Sequence, residues 1–155
     1  MIEGGVALVK DGAARFDLNV STNSFSGDVT VLGGVLAANS PRSLGVGRGL
    51  SANRSKGEGD KNLVVTGGTL ELNAAQVALT NAVVVVGAKN GASGVVSLAE
   101  GVEQEVRYLK VGGELMRPGV YGGPESAAAE KMNCFSGTGL LKVAKGASGF
   151  MVIVF

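Results

Sequence analysis

The sequence predicts an all-β chain folded as a stacked solenoid, and three observations favour this fold class. Gly-Gly steps recur between short apolar runs at Gly33–Gly34, Gly67–Gly68 and Gly112–Gly113, so their first glycines are 34 and 45 residues apart. Glycine makes up 26 of the 155 residues without a three-residue period, and the apolar fraction is 45%. Apolar runs of period two, separated by glycine turns, are typical of coils that bury their apolar faces by stacking.

Twelve short segments have the composition of strands, and turn residues separate them. The predicted strands are Val6–Val9, Ala14–Val20, Asp28–Leu32, Val35–Ala38, Leu63–Thr66, Thr69–Leu72, Val77–Leu79, Ala82–Val86, Val95–Leu98, Glu105–Val111, Leu140–Val143 and Phe150–Phe155. Asn90–Gly91, between two apolar runs, is compatible with either a hairpin or a solenoid corner. The one weak helical signal, Ser126–Lys131, is predicted to be a loop or a single turn.

One domain is predicted over residues 1–155, with two loops inside it. Residues 40–61, rich in Gly, Ser, Asn and charge, form a long excursion from the stack, and residues 122–134 form a variable loop before the closing strands. The strand pattern begins at Val6, and the residues before it do not have the form of a signal peptide. We therefore expect a fragment from the C-terminal part of a longer polypeptide.

The last six residues are apolar and carry no charge, so they must be buried or paired. One alternative is a terminal capping strand; the other is an interface strand that pairs with another chain. In the second case the self-association residues are Phe150, Val152, Val154 and Phe155. Because no capping helix is evident at either end, we predict self-association through the ends or edges of the stack, as a dimer or a filament.

Charge and composition argue against two classes of partner. The formal net charge is +1 and the chain has no Trp and two Tyr, so neither a basic face nor a stacking platform for nucleic acid is evident. The densest basic cluster is predicted to be a solvated loop and comprises Arg42, Arg48, Arg54, Lys56 and Lys61. No apolar stretch is long enough to span a bilayer, so membrane insertion is not expected.

The residues that usually carry catalysis are scarce. The chain has no His and a single cysteine, Cys134, which we predict to be a small buried hydrophobe. Glu100, Glu103 and Glu105 are predicted to be a solvated edge, with cation binding as the alternative. We expect no enzyme activity, no catalytic or metal-binding residues and no cofactor.

The first 47 residues contain an ordered set of motifs: Leu8–Gly12, Arg15–Leu18, Phe25, Thr30–Leu36 and Leu44–Gly47. This order resembles the autotransporter-associated β-strand repeat, also called the passenger-associated transport repeat, of bacterial secreted and surface proteins. The chain departs from that pattern where Arg-Phe-Asp-Leu replaces Thr-Leu-x-Leu and where Phe25 replaces a corner tyrosine. The match covers about a third of the chain.

Three later segments, Val111–Gly113, Pro118–Gly122 and Phe135–Val143, resemble the closing part of large surface proteins that carry these repeats. The physical interpretation agrees, because Gly137 and Gly139 permit a tight corner there. The predicted structural turn residues are therefore Gly33, Gly34, Gly67, Gly68, Gly112, Gly113, Gly137 and Gly139.

The resemblance implies a right-handed single-stranded parallel β-helix, and about six to seven coils follow at ~22 residues per coil. It also implies a structural or display segment of an extracellular or cell-surface bacterial protein, acting in adhesion or self-assembly. A glycan or a host surface is the expected ligand class. The alternative is a non-catalytic or glycan-binding appendage of a polysaccharide-active β-helix enzyme.

Overall fold

The computed structural model describes residues 1–21, 23–49 and 56–147. Within these ranges the chain is all-β, with fifteen strands and no helix. The strands are β1 Leu8–Lys10, β2 Arg15–Leu18, β3 Val29–Val31, β4 Val35–Ala38, β5 Lys61–Val65, β6 Thr69–Leu72, β7 Ala82–Val86, β8 Val95–Leu98, β9 Glu103–Val106, β10 Tyr108–Val111, β11 Glu114–Leu115, β12 Gly119–Gly122, β13 Glu130–Lys131, β14 Phe135–Ser136 and β15 Leu140–Val143. The all-β prediction is confirmed, whereas the predicted strand Phe150–Phe155 lies outside the described residues.

The strands form three sheets that are mostly parallel. Sheet A has the order β1-β3-β5-β7-β10-β11, sheet B the order β14-β8-β6-β4-β2, and sheet C the order β13-β12-β15-β9. From β1 to β8 the chain alternates between sheets A and B, so each strand pairs in parallel with the strand two places earlier. Among the described strands the antiparallel pairs come later in the chain, β10 with β11 and β12 with β15.

Matched register stacks apolar side chains into columns, and these columns form the core. In sheet A one column consists of Leu8, Val29, Leu63, Val84 and Leu109. In sheet B the corresponding column consists of Phe16, Leu36, Leu70, Val96 and Phe135. The first layer consists of β1 and β2. Beyond it, every member of both columns is buried. The period-two apolar pattern thus places one face of each sheet in the core.

Five parallel strands stack in sheet A within the described residues, below the six to seven coils that the chain length suggests. The reason is that layers differ in length. Val29 pairs with Leu63, 34 residues later, and Val96 pairs with Phe135, 39 residues later. An average of ~22 residues per coil underestimates what these longer connections use.

Two predicted strands differ from the structure. The apolar segment Val77–Leu79 forms no strand, because its backbone bonds to a loop: Leu44 N donates to Val77 O at 2.9 Å. The segment Glu105–Val111 contains parts of two strands, β9 and β10, which belong to different sheets. The chain passes between them at Arg107, whose amide donates to Ala82 O at 2.8 Å.

The two predicted loops contain ordered contacts at their ends. In the first, Ser43 and Leu44 are buried, and Lys61 already belongs to β5. In the second, Gly122 closes β12, and strand β13 pairs with β12 in parallel. The predicted loop or turn Ser126–Lys131 holds only in part: residues 126–129 form a loop, whereas Glu130–Lys131 is strand β13.

Candidate functional site

Two of the three Gly-Gly steps are stacked corners between sheets A and B. Gly33–Gly34 joins β3 to β4, and Gly67–Gly68 joins β5 to β6. The second glycine of each pair has a positive φ, 67° at Gly34 and 62° at Gly68. A Cβ at Gly68 would lie 2.4 Å from Gly34 O, so the upper corner rests directly on the backbone of the lower one. These positions need glycine both for conformation and for space.

The third step, Gly112–Gly113, is a hairpin turn and not a corner. Both glycines have positive φ, 60° and 81°, and the flanking strands β10 and β11 pair antiparallel. Positive φ at both central residues is the signature of the turn that suits a two-residue hairpin. The three steps are therefore not equivalent repeats, although all three are turns.

The remaining predicted turn glycines also lie at close approaches. Gly137 has φ 79°, and a Cβ there would lie 2.1 Å from Leu98 O. A Cβ at Gly139 would lie 2.5 Å from Ala99 O. Gly91 follows β7 and precedes β8, which belong to different sheets, so Asn90–Gly91 forms a corner and not a hairpin.

A network of polar side chains covers the outer face of sheet B. We name it the sheet B polar network; its members are Arg15, Asp17, Asn19, Asn39, Glu71 and Asn73. Both guanidinium amino groups of Arg15 donate to Glu71, at 3.1 and 2.9 Å. Asn39 donates to Asp17 and to Asn19, and Asn73 donates to Asn39 at 2.8 Å. The ends of β2, β4 and β6 are thus tied to one another outside the core.

Hydrogen bonds within this network favour the ionised form of its acidic members. The Asn39 amide holds the pKa of Asp17 below its usual range, and Arg15 does the same for the pKa of Glu71. The three asparagines each follow the last inward residue of β2, β4 or β6. That spacing was visible in the sequence, yet the pairing of layers was needed to recognise it.

Lys61 is buried, so its assignment to a solvated basic loop was wrong. The Nζ atom donates to Gly27 O at 2.5 Å and Phe25 O at 3.3 Å and lies 4.0 Å above the Phe25 ring. Burial lowers the pKa of Lys61 to about 8, although the carboxylate of Asp28 opposes the shift. Because its ammonium group donates to the backbone carbonyls of Phe25 and Gly27, Lys61 links β5 to that earlier segment and has a structural role.

A cleft of about 340 Å³ lies next to this lysine, and its described lining comprises Arg48, Gly57, Glu58, Gly59, Asn62 and Lys110. Asp28 lies beside it, where Arg48 forms an ion pair with it at 2.5 Å and Asn62 donates from its backbone and side chain. Burial alone would raise the pKa of Asp28, but these bonds from Asn62 and Arg48 outweigh burial and lower it. The cleft is therefore lined by cationic and anionic side chains, Arg48 and Lys110 on one hand and Glu58 on the other.

A second cleft of about 220 Å³ contains two of the carboxylates that the sequence singled out. Its described lining comprises Gln76, Thr80, Glu103, Glu105 and Lys142. Glu103 pairs with Lys142 at 2.5 Å, and this pairing raises the pKa of Lys142. Within the described ranges, no three His, Cys, Asp or Glu side chains lie close enough together to hold a metal ion.

Cys134 is a buried free thiol directly before β14. Its amide donates to Lys89 O at 3.0 Å, and burial raises the pKa of the thiol to about 11. A thiol of this kind stays protonated at neutral pH and is a poor nucleophile.

The predicted self-association residues Phe150, Val152, Val154 and Phe155 lie outside the described residues, so their role stays a prediction. The ranges that the structure covers hold no helical segment with the length and hydropathy that a membrane crossing needs. Comparison with family models, curated proteins and solved structures finds no match to the chain. The resemblance to the autotransporter-associated repeat therefore rests on the residues quoted above.

Proposed function

We propose that this chain is a right-handed parallel β-helix segment that serves as a structural or display element of an extracellular bacterial surface or secreted protein. The observation that carries the proposal is the alternation of strands between sheets A and B with matched parallel register. Successive crossovers between parallel strands of one sheet are right-handed in nearly all proteins, which supports the proposed handedness.

The surface chemistry supports a structural role. The charged and amide groups on the outer face of sheet B bond mainly to one another, so they stabilise the stack instead of facing a substrate. Lys61, the buried amine with a lowered pKa, is engaged by carbonyls. We infer that the chain is not an enzyme, needs no cofactor, and acts in adhesion or self-assembly.

Surface display is tested on the bacterium that makes the protein. Antibody raised against the chain should label intact cells or the culture medium, and protease added to intact cells should remove the cell-bound label. A cytoplasmic protein of the same cells serves as the control, because its own antibody should label it only after the cells are lysed. Label that appears only after lysis would overturn the proposal.

A second candidate function is glycan binding, and the cleft beside Arg48 favours it. The cleft has the size of small-ligand sites, and the cationic side chains of Arg48 and Lys110 suit acidic sugars. A glycan array that includes uronate polymers tests this function. Selective binding that is lost in Lys110→Gln and kept in the control Lys142→Gln would support this function. Binding that is absent, or that Lys110→Gln does not change, would exclude the cleft as a glycan site. Cleavage of a pectin-like polymer would overturn the non-enzymatic role.

A further inference from the structure

Among the described residues, the first layer leaves one end of the hydrophobic core open at strand β2. Phe16 is the first member of the sheet B column that continues through Leu36, Leu70, Val96 and Phe135. Its side chain is 48% exposed, whereas the other four are at most 1% exposed. A large aromatic ring in a core position, with nothing described stacked on it, indicates a surface that another strand can cover.

The backbone of β2 is also available for pairing. Ala14 O and Leu18 O accept hydrogen bonds from Val35 N and Asn39 N, at 3.2 and 2.9 Å, so this set of alternate residues faces β4. By the alternation of a strand, the amides and carbonyls of Arg15 and Asp17 face the opposite side. Among the described residues no strand pairs there, because β2 is the last strand of sheet B.

The sequence of β2 is complementary to itself about Phe16. When two such strands run antiparallel with Phe16 opposite Phe16, Arg15 of each lies opposite Asp17 of the other, on the same outer face. Phe16 then forms the non-hydrogen-bonded pair in which side chains lie closest, and Arg15 and Asp17 form the flanking hydrogen-bonded pairs. Both charged groups are already held in position, Arg15 by Glu71 and Asp17 by Asn39.

We propose that two copies of this chain associate through their β2 strands as a two-fold symmetric dimer, paired antiparallel about Phe16. The inference rests on the proposed self-association and specifies its strand, register and symmetry. A two-fold interface uses the same surface on both copies and therefore closes, so this contact yields a dimer and not a filament.

Charge reversal tests the register directly. Arg15→Asp gives β2 two acidic residues and Asp17→Arg gives it two basic residues, so each variant alone places like charges opposite one another twice. We expect sedimentation equilibrium to show dimers of the unaltered chain and a dissociation constant raised about tenfold or more in each variant. An equimolar mixture of the two variants should restore dimers, because acidic strands then face basic strands.

Two controls keep the outcome interpretable. Lys89→Glu reverses an exposed charge paired with Glu114, away from β2, and should leave the dissociation constant unchanged. Circular dichroism melting of every variant confirms that it is folded. A mixture that stays monomeric while both variants are folded would overturn the proposed register.

Other occupants of the β2 edge give different results. The double variant Val152→Lys/Val154→Lys tests the main alternative. If this variant abolishes association and the β2 charge reversals do not affect it, the contact lies in residues 148–155. That result would overturn the β2 dimer while self-association stands. A chain that is monomeric throughout a concentration series to high micromolar would overturn the dimer and the self-association together. Surface labelling of intact cells is independent of both results.

Discussion

The two ends of the stack differ in how their strand edges are treated. At the first layer, β1 and β2 are the last strands of sheets A and B, and Val9 and Phe16 are exposed. At the other end, the hairpin after β10 folds β11 back over the edge of sheet A, and β12 pairs antiparallel with β15 in sheet C. Reversals of chain direction thus cover the edges of β10 and β15, which simple stacking would leave open, and covering edges is a general way to prevent unwanted pairing.

The largest expected effect on stability compares Phe135 and Phe16, the two end members of the sheet B column. Phe135→Ala should lower the free energy of unfolding by about 3–5 kcal/mol, because a fully buried ring leaves a cavity. Phe16→Ala should cost about 1 kcal/mol in the monomer, because half of that ring already faces solvent. Urea unfolding at a concentration where the chain is monomeric measures both. Equal losses would show that the first layer is as well covered as the last.

The next prediction distinguishes a stacked corner from a hairpin turn. Gly68→Ala should destabilise the fold by about 3 kcal/mol, because the new methyl meets the Gly34 carbonyl as well as adopting a positive φ. Gly113→Ala should cost about 1 kcal/mol, because the space around it is open and only the backbone conformation is strained. Thermal unfolding with matched denaturant melts checks the ranking. A larger loss at Gly113 would contradict the corner stacking.

The buried lysine predicts a pH dependence of stability. Since the pKa of Lys61 is lowered to about 8 from 10.5, the unfolded chain binds more protons between these values, and stability should rise with pH across that window. Across the whole window the gain is about 3 kcal/mol. The raised pKa of Cys134 acts in the opposite direction, so the comparison is made with Lys61→Met, which should lack the rise. An identical pH profile in the two proteins would contradict a charged Lys61 in the interior.

The smallest expected effect concerns the bonds between layers on the exposed face. Asn39→Ala removes the amide that donates to Asp17 and Asn19 and accepts from Asn73. We expect a loss of about 1 kcal/mol, because water replaces part of each bond. Hydrogen exchange of the β2 and β4 amides should also accelerate more than exchange in β8. Uniform exchange would indicate that the network does not couple the first layers.

The sequence predicted the strands whose apolar pattern and glycine turns agree. The bounds of β4, β6, β7, β8 and β15 match the predicted segments without change. Val77–Leu79 has strand composition but faces a loop, and no local pattern shows which partner an apolar segment will meet. Strand propensity is local, whereas pairing depends on the whole stack.

The site residues that sequence reasoning missed share one cause. Lys61 is braced by Phe25 and Gly27, which lie more than 30 residues earlier in the chain, so its burial depends on a contact between layers. Gly112–Gly113 is the same Gly-Gly step between apolar runs as the two corners but has a different partner strand, so this pattern alone could not separate hairpin from corner. These are effects of tertiary pairing on residues that look ordinary in isolation.

The unequal spacing of the layers has a consequence for how such a protein can change over time. On the corner side, three residues separate β3 from β4 and three separate β5 from β6, and the corners lie against each other. On the opposite side, nine residues join β6 to β7 and twenty-two join β4 to β5, yet both connections deliver the next strand in register. New recognition segments can therefore be inserted or grafted between Ala38 and Lys61, while the stacked corners at Gly34 and Gly68 admit no larger side chains.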